Sequence, residues 1–445
     1  MDSPPNIVFV LADQLGARWL PIYGHPLVST PHLERFATES AIFERAISTS
    51  PVCTPYRGCL LSGKYPSQTG VLDNGQAFPR GVKSLADHFN DDGYRTYYAG
   101  KWHLSGAPQE NRWAPPDQRA GFQHFIGWES HHIDHYAGLI WSDDPDLAIE
   151  MPGHETDSLT DIAIGQLEVA AAADEPFFML LSYQAPHPPC SPPAEFLEPY
   201  EKLDLVTEAN ADREAWFKHE AWRADYDAQR FRELYFGEIS QLDAAFGRLL
   251  AAMDRLGLRD NTLVAFTSDH GEMAGAQGRF GKGVMYEEAL RVPLILRAPG
   301  HQQGQRIDTP VSTIDLIPTL LDYAGCRLDE SSEGLSLRPL MEGSAGLADR
   351  VVISEYHDFC ASTRHWKLIT RGRSLEPAAF YHVTDDPYEL RNRVDDPDCA
   401  DVQARLLQTL SSWRARLARN EPQNDSDSVI PTQPESDMAW QTINT

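Results

Sequence analysis

The sequence predicts an α/β fold in which a mostly parallel central sheet lies between helices, followed by a small C-terminal unit of antiparallel sheet and helix. Three observations support this prediction. Short, continuously apolar runs, typical of strands covered on both faces, alternate with helical patterns. The pattern changes to short strands after about residue 346. The chain has 445 residues, of which 42% are hydrophobic, so it can bury a large core and exceeds the usual size of one domain.

The strands and helices of the large domain follow one another in regular alternation. The first strand is predicted over residues 6–12, where Asp13 ends the apolar run, and further buried strands over residues 95–99, 177–182, 262–268 and 292–297. Helical patterns cover residues 85–90, 231–256 and 314–323. This alternation indicates a parallel sheet with helices on both sides. Ligands collect at the carboxyl ends of such strands, and Asp13 and the Asp269-His270 pair both fall there.

The last hundred residues predict a separate unit. Short strands are expected over residues 351–355, 366–370 and 380–383, and a helix over roughly 401–419. We therefore divide the chain into a catalytic domain over residues 1–345, a small subdomain over 346–420 and a polar tail over 421–445. The tail is rich in Asp, Ser, Pro and Gln and is expected to be loosely ordered.

The net charge and the cysteine content limit which partners and which cellular compartment can be expected for the protein. A formal net charge of −27 opposes binding to nucleic acid or to an anionic membrane over a broad surface, so an anionic substrate requires a local cationic pocket. The apolar run near the N-terminus is too short to span a bilayer or to act as a signal sequence, which predicts a cytoplasmic protein without a transmembrane segment. The six cysteines have no repeating spacing and are expected to be reduced.

Residues 50–66 form the most informative stretch. Pro55 suits the first turn of a helix, so Cys53 lies just before a helix start, where free N–H groups favour an anion and acidify a thiol. A buried structural cysteine is the alternative interpretation. A cysteine-dependent phosphatase fits less well, because its phosphate loop needs a longer interval between Cys and Arg than Cys53 to Arg57 provides.

This stretch resembles the signature of the type I, formylglycine-dependent sulfatases of the alkaline phosphatase-like superfamily. The matching residues are Cys53, Pro55, Arg57, Leu61, Ser62 and Gly63, and the departure is Tyr56 in place of the common Ser. The resemblance implies an alkaline-phosphatase-like fold. It also implies that a formylglycine-generating maturation enzyme converts Cys53 to an aldehyde, which then serves as the nucleophile.

The resemblance extends over residues 6–398. Similar segments are residues 100–104 (Gly-Lys-Trp-His-Leu), 185–188 (Ala-Pro-His-Pro), 267–272 (Thr-Ser-Asp-His-Gly-Glu), 280–283, 286–288, 291–294, 315–320 and 380–392. Each segment alone is a weak signal. Their common order along the chain is a strong one.

The strand ends predict a metal site. Asp13, Asp269 and His270 can surround a divalent cation together with one oxygen of the substrate or of the aldehyde hydrate at Cys53. An isolated Asp at a strand end is more often a loop cap, but three residues at matching positions favour a metal. The family often has an acid where Gln14 stands here. The amide oxygen of Gln14 still suits Ca²⁺, with Mn²⁺ or Mg²⁺ as alternatives.

The remaining site residues follow from the resemblance. Lys101, Lys282 and Arg57 would form the cationic pocket for a sulfate oxyanion, with Lys101 and Lys282 also binding substrate. His103 is placed near the aldehyde hydrate as a base or hydrogen-bond partner, and His187 near the leaving-group oxygen as general acid. Asn74 is expected to contact the sulfate or the ester, or else to be a turn residue.

Residues 111–141 combine aromatic and histidine side chains. A second metal site over residues 131–135 lacks a supporting cysteine or carboxylate pattern, so we favour an aromatic substrate wall formed by Trp113, Trp128, Tyr136 and Trp141, with core packing as the alternative. Trp216, Trp222 and Tyr226 lie in a charged stretch that is expected to be helical and that suits a lid or a subunit contact, which leaves a homo-oligomer open.

The sequence thus predicts a sulfuric ester hydrolase that acts on a small-molecule or saccharide sulfate ester, whose alcohol is a sugar, an aryl group or a small alkyl group. The first rival is a phosphonate monoester or phosphodiester hydrolase of the same superfamily. The second is a non-catalytic binding protein in which Cys53 is never modified.

Overall fold

A computed structural model describes residues 4–106, 113–129, 132–220, 224–300, 303–328, 332–344, 347 and 350–419. The predicted polar tail, residues 421–445, lies outside the described residues, as do His131 and Trp222. The strands are β1 Asn6–Ala12, β2 Ala41–Phe43, β3 Ala46–Ile47, β4 Arg95–Lys101, β5 His124–Trp128, β6 Leu139–Trp141, β7 Ala148–Glu150, β8 Phe177–Ser182, β9 Trp216–His219, β10 Ala224–Asp227, β11 Thr262–Ser268, β12 Arg291–Val292, β13 Leu294–Arg297, β14 Gln305–Ile307, β15 Val311–Ser312, β16 Val352–Glu355, β17 Phe359–Ser362, β18 Trp366–Arg371 and β19 Glu376–His382.

The helices surround the strands on both sides. They are α1 Pro31–Ala37, α2 Cys53–Ser62, α3 Pro66–Thr69, α4 Leu85–Asp91, α5 Glu155–Ala171, α6 Ala194–Leu197, α7 Ala228–Arg255, α8 Glu287–Leu290, α9 Leu316–Ala324, α10 Arg338–Met341 and α11 Ala400–Arg419. Within the described ranges, none of these helices is both long enough and apolar enough to cross a bilayer.

The central sheet has ten strands among the described residues, in the order β14-β2-β13-β11-β1-β8-β4-β5-β6-β7. Its middle, from β11 to β5, is parallel. Side chains of β1 alternate between two hydrophobic cores, with Val8 and Val10 in the core of α1, α5 and α7 and Ile7 and Phe9 in the core of α2, α4 and α9. Burial on both faces explains why β1 has a continuous apolar sequence. The predicted α/β sheet between helices is confirmed.

One predicted strand differs in detail. The apolar run at residues 292–297 is interrupted by Pro293, which cannot donate a backbone hydrogen bond. Val292 therefore belongs to β12 in a second small sheet, while β13 pairs antiparallel with β11 in the central sheet.

The helix expected around Trp216 and Tyr226 is wrong. Trp216 lies on β9 and Tyr226 on β10, and these two strands pair antiparallel in a small sheet of their own.

The C-terminal unit is a four-stranded antiparallel sheet in the order β16-β17-β18-β19, and it carries α11 on one face. Leu406, Leu410 and Trp413 of α11 pack against Phe359 and Phe380 of the sheet. The opposite face packs against the first domain through side chains such as Ile47 and Leu290. The predicted antiparallel sheet plus helix is confirmed, whereas the domain boundaries at residues 345 and 420 stay predictions.

Candidate active site

The parallel register of β1 and β11 brings two carboxylates together. Ala12 and Ser268 are partners at the ends of the two strands, so Asp13 and Asp269, the next residues, leave the sheet side by side. The Asp269 N–H donates to the Ala12 carbonyl at 3.2 Å, and both carboxylates are fully buried. The strand-end prediction for these residues therefore agrees with the geometry.

Cys53 points at this pair from the first turn of α2. Its Sγ lies 3.7 Å from Oδ1 of Asp13 and 3.1 Å from Nε2 of His270. Lys282 donates to the same Sγ at 3.1 Å. One potential ligand atom from each of four buried residues lies within 4.8 Å of the others, and these residues are Asp13, Cys53, Asp269 and His270.

The charges around Cys53 favour an anion at this position. Burial and the charge of Asp13 would raise the pKa of the Cys53 thiol, but Lys282, Lys101 and His270 outweigh them and lower it. Cys59, six residues later in the same helix, shows the contrast, because burial raises the pKa of its thiol. Its position at the start of α2 and the positive charges around its thiol thus distinguish Cys53 from a structural cysteine.

Asp13 is held in its charged form. Burial alone would raise the pKa of its carboxyl, but the charges of Lys101, His187, Lys282 and Arg57 hold that pKa well below its usual range. The Lys101 ammonium lies 2.6 Å from Oδ2 of Asp13. The preceding Gly100 has φ +110°, and a Cβ there would lie 2.0 Å from the Ser182 carbonyl oxygen. Glycine therefore permits the close approach that positions Lys101.

Arg57 is bound to protein groups on several sides. Its Nη2 donates to Oδ2 of Asp13 at 3.0 Å and to Oδ2 of Asp269 at 3.5 Å. Its Nη1 donates to the Lys101 carbonyl at 2.7 Å and to the Ser182 hydroxyl at 2.8 Å. These contacts fix both carboxylates relative to α2.

Gln14 links Lys282 to a carboxyl that sequence reasoning had given no role. Its Oε1 accepts from Lys282 at 2.5 Å, and its Nε2 donates to Glu272. Gln14 has φ 67°, a left-handed conformation that is uncommon for residues with a side chain and that often occurs at functional sites. Burial raises the pKa of Glu272. Glu272 had been part of a matching motif, which was the one signal that could have identified it.

His103 and Asn74 both meet Thr54 at the start of α2. The Thr54 hydroxyl donates to the His103 carbonyl at 3.0 Å, and its N–H donates to Oδ1 of Asn74 at 3.1 Å. Asn74 thus caps α2 from a distant turn, so one of its polar atoms is committed to the fold. Its predicted contact with the substrate stays a prediction.

His187 lies on the loop that follows β8. Its Nδ1 is 2.5 Å from the Pro188 carbonyl, and its charge contributes to the low pKa of Asp13. The Asp13 N–H donates to the Ala185 carbonyl at 3.2 Å, which joins this loop to the end of β1. The structure therefore brings His187 to the same edge of the sheet as the carboxylates.

The C-terminal unit also reaches this region. Tyr356, in the turn between β16 and β17, donates to Asp73 at 3.1 Å, next to Asn74. Burial raises the pKa of Tyr356, and the charges of Asp73 and Cys53 add to this effect. No sequence signal joined the two units, because their contact depends on how the sheets pack.

The aromatic segment has mixed roles. Trp128 is fully buried in the core, so it belongs to the packing alternative and not to a substrate wall. Trp113 is partly buried and donates to the Ser142 carbonyl at 3.0 Å. Tyr136 is about half exposed. Substrate binding by the exposed members stays a prediction.

The donor set fits a divalent cation. Two carboxylates and an amide oxygen are the hard ligands that Ca²⁺ and Mg²⁺ prefer, and an imidazole also suits Mn²⁺. Lys101, Lys282 and Arg57 carry more positive charge than the two carboxylates offset, so a bound cation would leave the pocket strongly positive. Such a pocket suits an anionic substrate in an otherwise acidic protein.

Comparison with known proteins agrees with this geometry. Residues 5–326 match the family model named Sulfatase, and residues 275–416 match the model of the C-terminal region of N-sulphoglucosamine sulphohydrolase. The ulvan-active sulfatase of Formosa agariphila is 33% identical over 94% of this chain and 82% of its own. The N-acetylglucosamine-6-O-sulfatase of Bacteroides thetaiotaomicron is 26% identical over 96% of this chain and 89% of its own.

A solved structure supports the same assignment. A protein whose structure was solved in complex with its substrate D-glucosamine-2-N,6-O-disulfate superposes with a TM-score of 0.82 and 25% identity, covering 95% of this chain and 100% of that one. The family resemblance predicted from the motifs is therefore confirmed. The chain belongs to the sulfatase family of the alkaline phosphatase-like superfamily and is a sulfuric ester hydrolase.

Proposed function

We propose that this sulfatase hydrolyses a sulfate monoester of a sugar, with a formylglycine derived from Cys53 as nucleophile and Ca²⁺ as the metal. The observation that carries the proposal is the surroundings of the Cys53 Sγ, which lies 3.1 Å from both Lys282 Nζ and His270 Nε2 at the start of a helix. A nucleophile at this position lies next to a lysine that we assign to the sulfate oxygens, Lys282, and a residue that we assign to the metal, His270.

An aldehyde hydrate at position 53 would supply an oxygen nucleophile for sulfur and a second hydroxyl whose loss of a proton releases sulfate. Residues 53–57 are buried in the folded chain, so a maturation enzyme must reach them before folding is complete. The Cys-Thr-Pro-Tyr-Arg core supports this route through its resemblance to the segment that such enzymes read.

Lys101 and Lys282 are the groups that we assign to the sulfate oxygens. Both ammonium groups are buried, and both are within 4 Å of Asp13 or Cys53. Buried charges stabilise developing negative charge more strongly than exposed ones, because less water screens them. Arg57 is assigned to positioning, since its recorded bonds are to Asp13, Asp269, Ser182 and a carbonyl.

We assign protonation of the departing alcohol to His187. Its Nδ1 lies against the Pro188 carbonyl, which can only accept a hydrogen bond, so Nδ1 carries a proton. In the imidazolium form, the second proton, on Nε2, would be the one given to the leaving oxygen. His103, at the start of α2 beside Thr54, is assigned to hydrogen bonding with position 53.

The metal ligands that we propose are Asp13, Gln14, Asp269 and His270, completed by an oxygen of residue 53. When bound, the ion supplies positive charge to a sulfate oxygen as a Lewis acid. The oxygen-rich donor set favours Ca²⁺ over softer metals.

A sugar as the alcohol is supported by the relatives. The N-acetylglucosamine-6-O-sulfatase of Bacteroides thetaiotaomicron is named for a sulfated amino sugar, and the solved neighbour holds a glucosamine disulfate. Aryl and small alkyl sulfates stay alternatives for this chain.

The test combines mass and rate. Protein produced with and without a formylglycine-generating enzyme is analysed by peptide mass at residue 53, and turnover is measured with sulfated sugars, aryl sulfates and choline sulfate. Activity should rise in proportion to the aldehyde fraction, and Cys53→Ala should abolish it, whereas Cys59→Ala, a matched change in the same helix, should retain it. Full turnover by protein that carries only the unmodified thiol would refute the proposal.

A further inference from the structure

A second cluster of buried donor groups lies between α5, α7 and the loop after β5. It consists of His135 in that loop, His154 and Glu155 at the start of α5, and Glu238 in α7, and we name it the His135 cluster. The two histidines are 4% exposed and the two glutamates are fully buried. None of the four residues contributes to the active site described above.

The imidazoles converge on one carboxylate oxygen. Nε2 of His135 lies 3.8 Å from Oε1 of Glu238, and Nε2 of His154 lies 3.7 Å from the same oxygen. The two rings are stacked with centroids 4.9 Å apart, so both nitrogens face the same side. One ligand atom from each of the three residues lies within 4.8 Å of the other two.

Glu155 stands behind His135. Its Oε1 lies 3.6 Å from Nδ1 of His135, on the ring edge opposite Nε2. A carboxylate behind the second nitrogen is the usual support of a histidine that binds a metal, because it fixes the ring and raises its basicity. Three ligands and one supporting carboxylate thus come from three separate elements.

Protein groups satisfy the cluster only in part. Among the described residues, Nε2 of His154 and one carboxylate oxygen of each glutamate are buried without a hydrogen-bond partner. Leaving such groups unpaired is costly in a protein interior. No Lys or Arg in the described ranges forms an ion pair with Glu155 or Glu238. Two buried carboxylates therefore face at most two imidazoles for compensation.

Charge balance also favours a dication. Glu155 and Glu238 are both fully buried, and one divalent ion would offset both carboxylates.

We propose that His135, His154 and Glu238 form a second metal site that binds Zn²⁺, with Glu155 orienting His135. Two imidazole nitrogens and a carboxylate oxygen are a typical zinc donor set, and they discriminate against Ca²⁺, which prefers oxygen. Zinc bonds of about 2.0–2.1 Å place tetrahedral ligands about 3.3–3.4 Å apart, so the two nitrogen-to-oxygen separations of 3.8 and 3.7 Å need to shrink by a few tenths of an ångström. On binding, His135 would lose its Nε2 proton to solvent and keep the proton on Nδ1, which faces Glu155. His154 would move its single proton from Nε2 to Nδ1 and so give up the hydrogen bond from the Thr156 N–H.

The ion would fix the loop that carries His187. The His135 Nε2 now contacts the Pro189 carbonyl at 2.7 Å, and the Ser191 N–H donates to Oε1 of Glu238 at 2.7 Å. Zinc would replace the Nε2 proton of His135, and the Pro189 carbonyl would move away from Nε2, because two ligands of a tetrahedral ion lie about 3.3–3.4 Å apart. The site is therefore structural, and its metal content can be measured without reference to turnover.

The experiment measures zinc in untagged, full-length protein after dialysis against zinc-free buffer that contains Ca²⁺. Wild type should retain one equivalent. His154→Asn keeps an oxygen to accept the Thr156 N–H that His154 now accepts at 3.3 Å, and Glu238→Gln keeps an acceptor for Ser191, yet each removes a ligand. Each should weaken zinc affinity by more than the roughly 10–100-fold that is typical of supporting residues.

Two controls locate the metal. His25→Asn removes another buried histidine that accepts backbone N–H groups and faces a single carboxylate, Glu208, at 3.5 Å, and it should retain zinc. Asp269→Asn alters the proposed calcium site and should also retain zinc. Zinc lost with Asp269→Asn, or retained in full by His154→Asn and Glu238→Gln, would overturn the proposal.

The visible absorption of Co²⁺ bound to the wild-type protein tests the site without depending on whether the variants fold. Co²⁺ added to wild type should produce the intense visible absorption of a four-coordinate nitrogen and oxygen site, and one equivalent of Zn²⁺ should remove it. A wild-type protein that neither retains zinc nor develops this band has no such site, and the His135 cluster would then be a proton-bridged ion pair.

Discussion

Arg57 places Nη2 3.0 Å from Oδ2 of Asp13 and 3.5 Å from Oδ2 of Asp269. The guanidinium is buried, and the two carboxylates raise its pKa although burial alone would lower it. It therefore stays charged and holds both proposed metal ligands at once. A lysine cannot reproduce this, because one ammonium lacks the planar fork that reaches two carboxylates and Ser182 together.

Arg57→Lys should weaken Ca²⁺ affinity by about 10–100-fold, the usual effect of losing a residue that orients metal ligands. Calorimetric titration with Ca²⁺ measures it, in protein whose aldehyde content is known, because Arg57 also lies in the maturation motif. Arg45→Lys is the matched control, since Arg45 makes a two-pronged bond to Glu287 at 3.1 and 3.3 Å away from the active site. Equal Ca²⁺ affinity in the two variants would contradict the positioning role.

Asp269→Asn should lower bound Ca²⁺ and turnover together, and chelation of wild type should remove activity that Ca²⁺ or Mn²⁺ restores. Glu355→Gln is the control, because burial raises the pKa of Glu355 to about 7 and the amide resembles its neutral form. Elemental analysis alongside initial rates measures both effects. An unchanged rate after chelation that is verified to be complete would exclude a catalytic metal.

Gln14 and Glu272 invite an exchange experiment. Gln14→Glu alone places a second carboxylate against Glu272, and the lost amide donor should destabilise the fold. Adding Glu272→Gln restores an amide-carboxylate pair with the charge moved next to the metal. The double variant should bind Ca²⁺ at least about tenfold more tightly than wild type, since ligand charge sets calcium affinity. Calcium titration of both variants tests this, and equal affinity in wild type and double variant would mean that residue 14 is not a ligand.

The sequence predicted the centre of the fold because buried parallel strands leave a continuous apolar pattern. The run at β1 and its end at Asp13 are both readable in this way. The antiparallel direction of β13 could not be predicted, because an apolar run does not show whether a strand is parallel or antiparallel to its neighbour. The division of this run into β12 and β13 at Pro293 was also not predicted. Whether β13 runs parallel or antiparallel to β11 depends on the path of the segment that connects the two strands.

The same distinction between local sequence features and long-range contacts applies to the active site. Asp13 and Asp269 could be placed at one edge of the sheet because strand ends are local features of the sequence, and Cys53 was joined to them through the resemblance of residues 50–66 to the sulfatase signature. The roles of Glu272 and Tyr356 could not, because they depend on contacts between distant segments. The same holds for Glu238, which meets His135 only after α7 packs against α5.

His187→Ala should reduce turnover of an alkyl or sugar sulfate by roughly 10²–10⁴-fold, the range of general acid catalysis, and should reduce that of nitrophenyl sulfate far less. Nitrophenolate leaves without a proton, whereas a sugar alkoxide does not. Rates for both substrates at one pH and metal content measure the difference. His88→Ala, a change at a buried histidine in α4, serves as the control and should affect neither substrate selectively. An equal loss for both substrates would make His187 a binding residue.

Sulfate monoesters should be preferred over phosphonate monoesters and phosphodiesters, although all three carry a single negative charge. Charge alone cannot discriminate between them, so the arrangement of donors must. Lys101 is fully buried and Lys282 is 9% exposed, and both point their ammonium groups at the residues around Cys53. A sulfuryl group offers three terminal oxygens to such donors, whereas a diester or phosphonate puts a carbon substituent where one donor would bind.

The donor left without a partner would cost on the order of 1–3 kcal/mol, or more if charged, which corresponds to a tenfold to hundredfold or larger preference for sulfate. Comparing kcat/KM for nitrophenyl sulfate, nitrophenyl phenylphosphonate and bis-nitrophenyl phosphate at one pH and metal content measures it. Lys101→Met should reduce the sulfate rate most, because the methionine removes a donor that only the three-oxygen group uses fully. If a phosphorus substrate turned over faster than every sulfate tried, the chain would be a phosphonate or phosphodiester hydrolase built on the sulfatase fold.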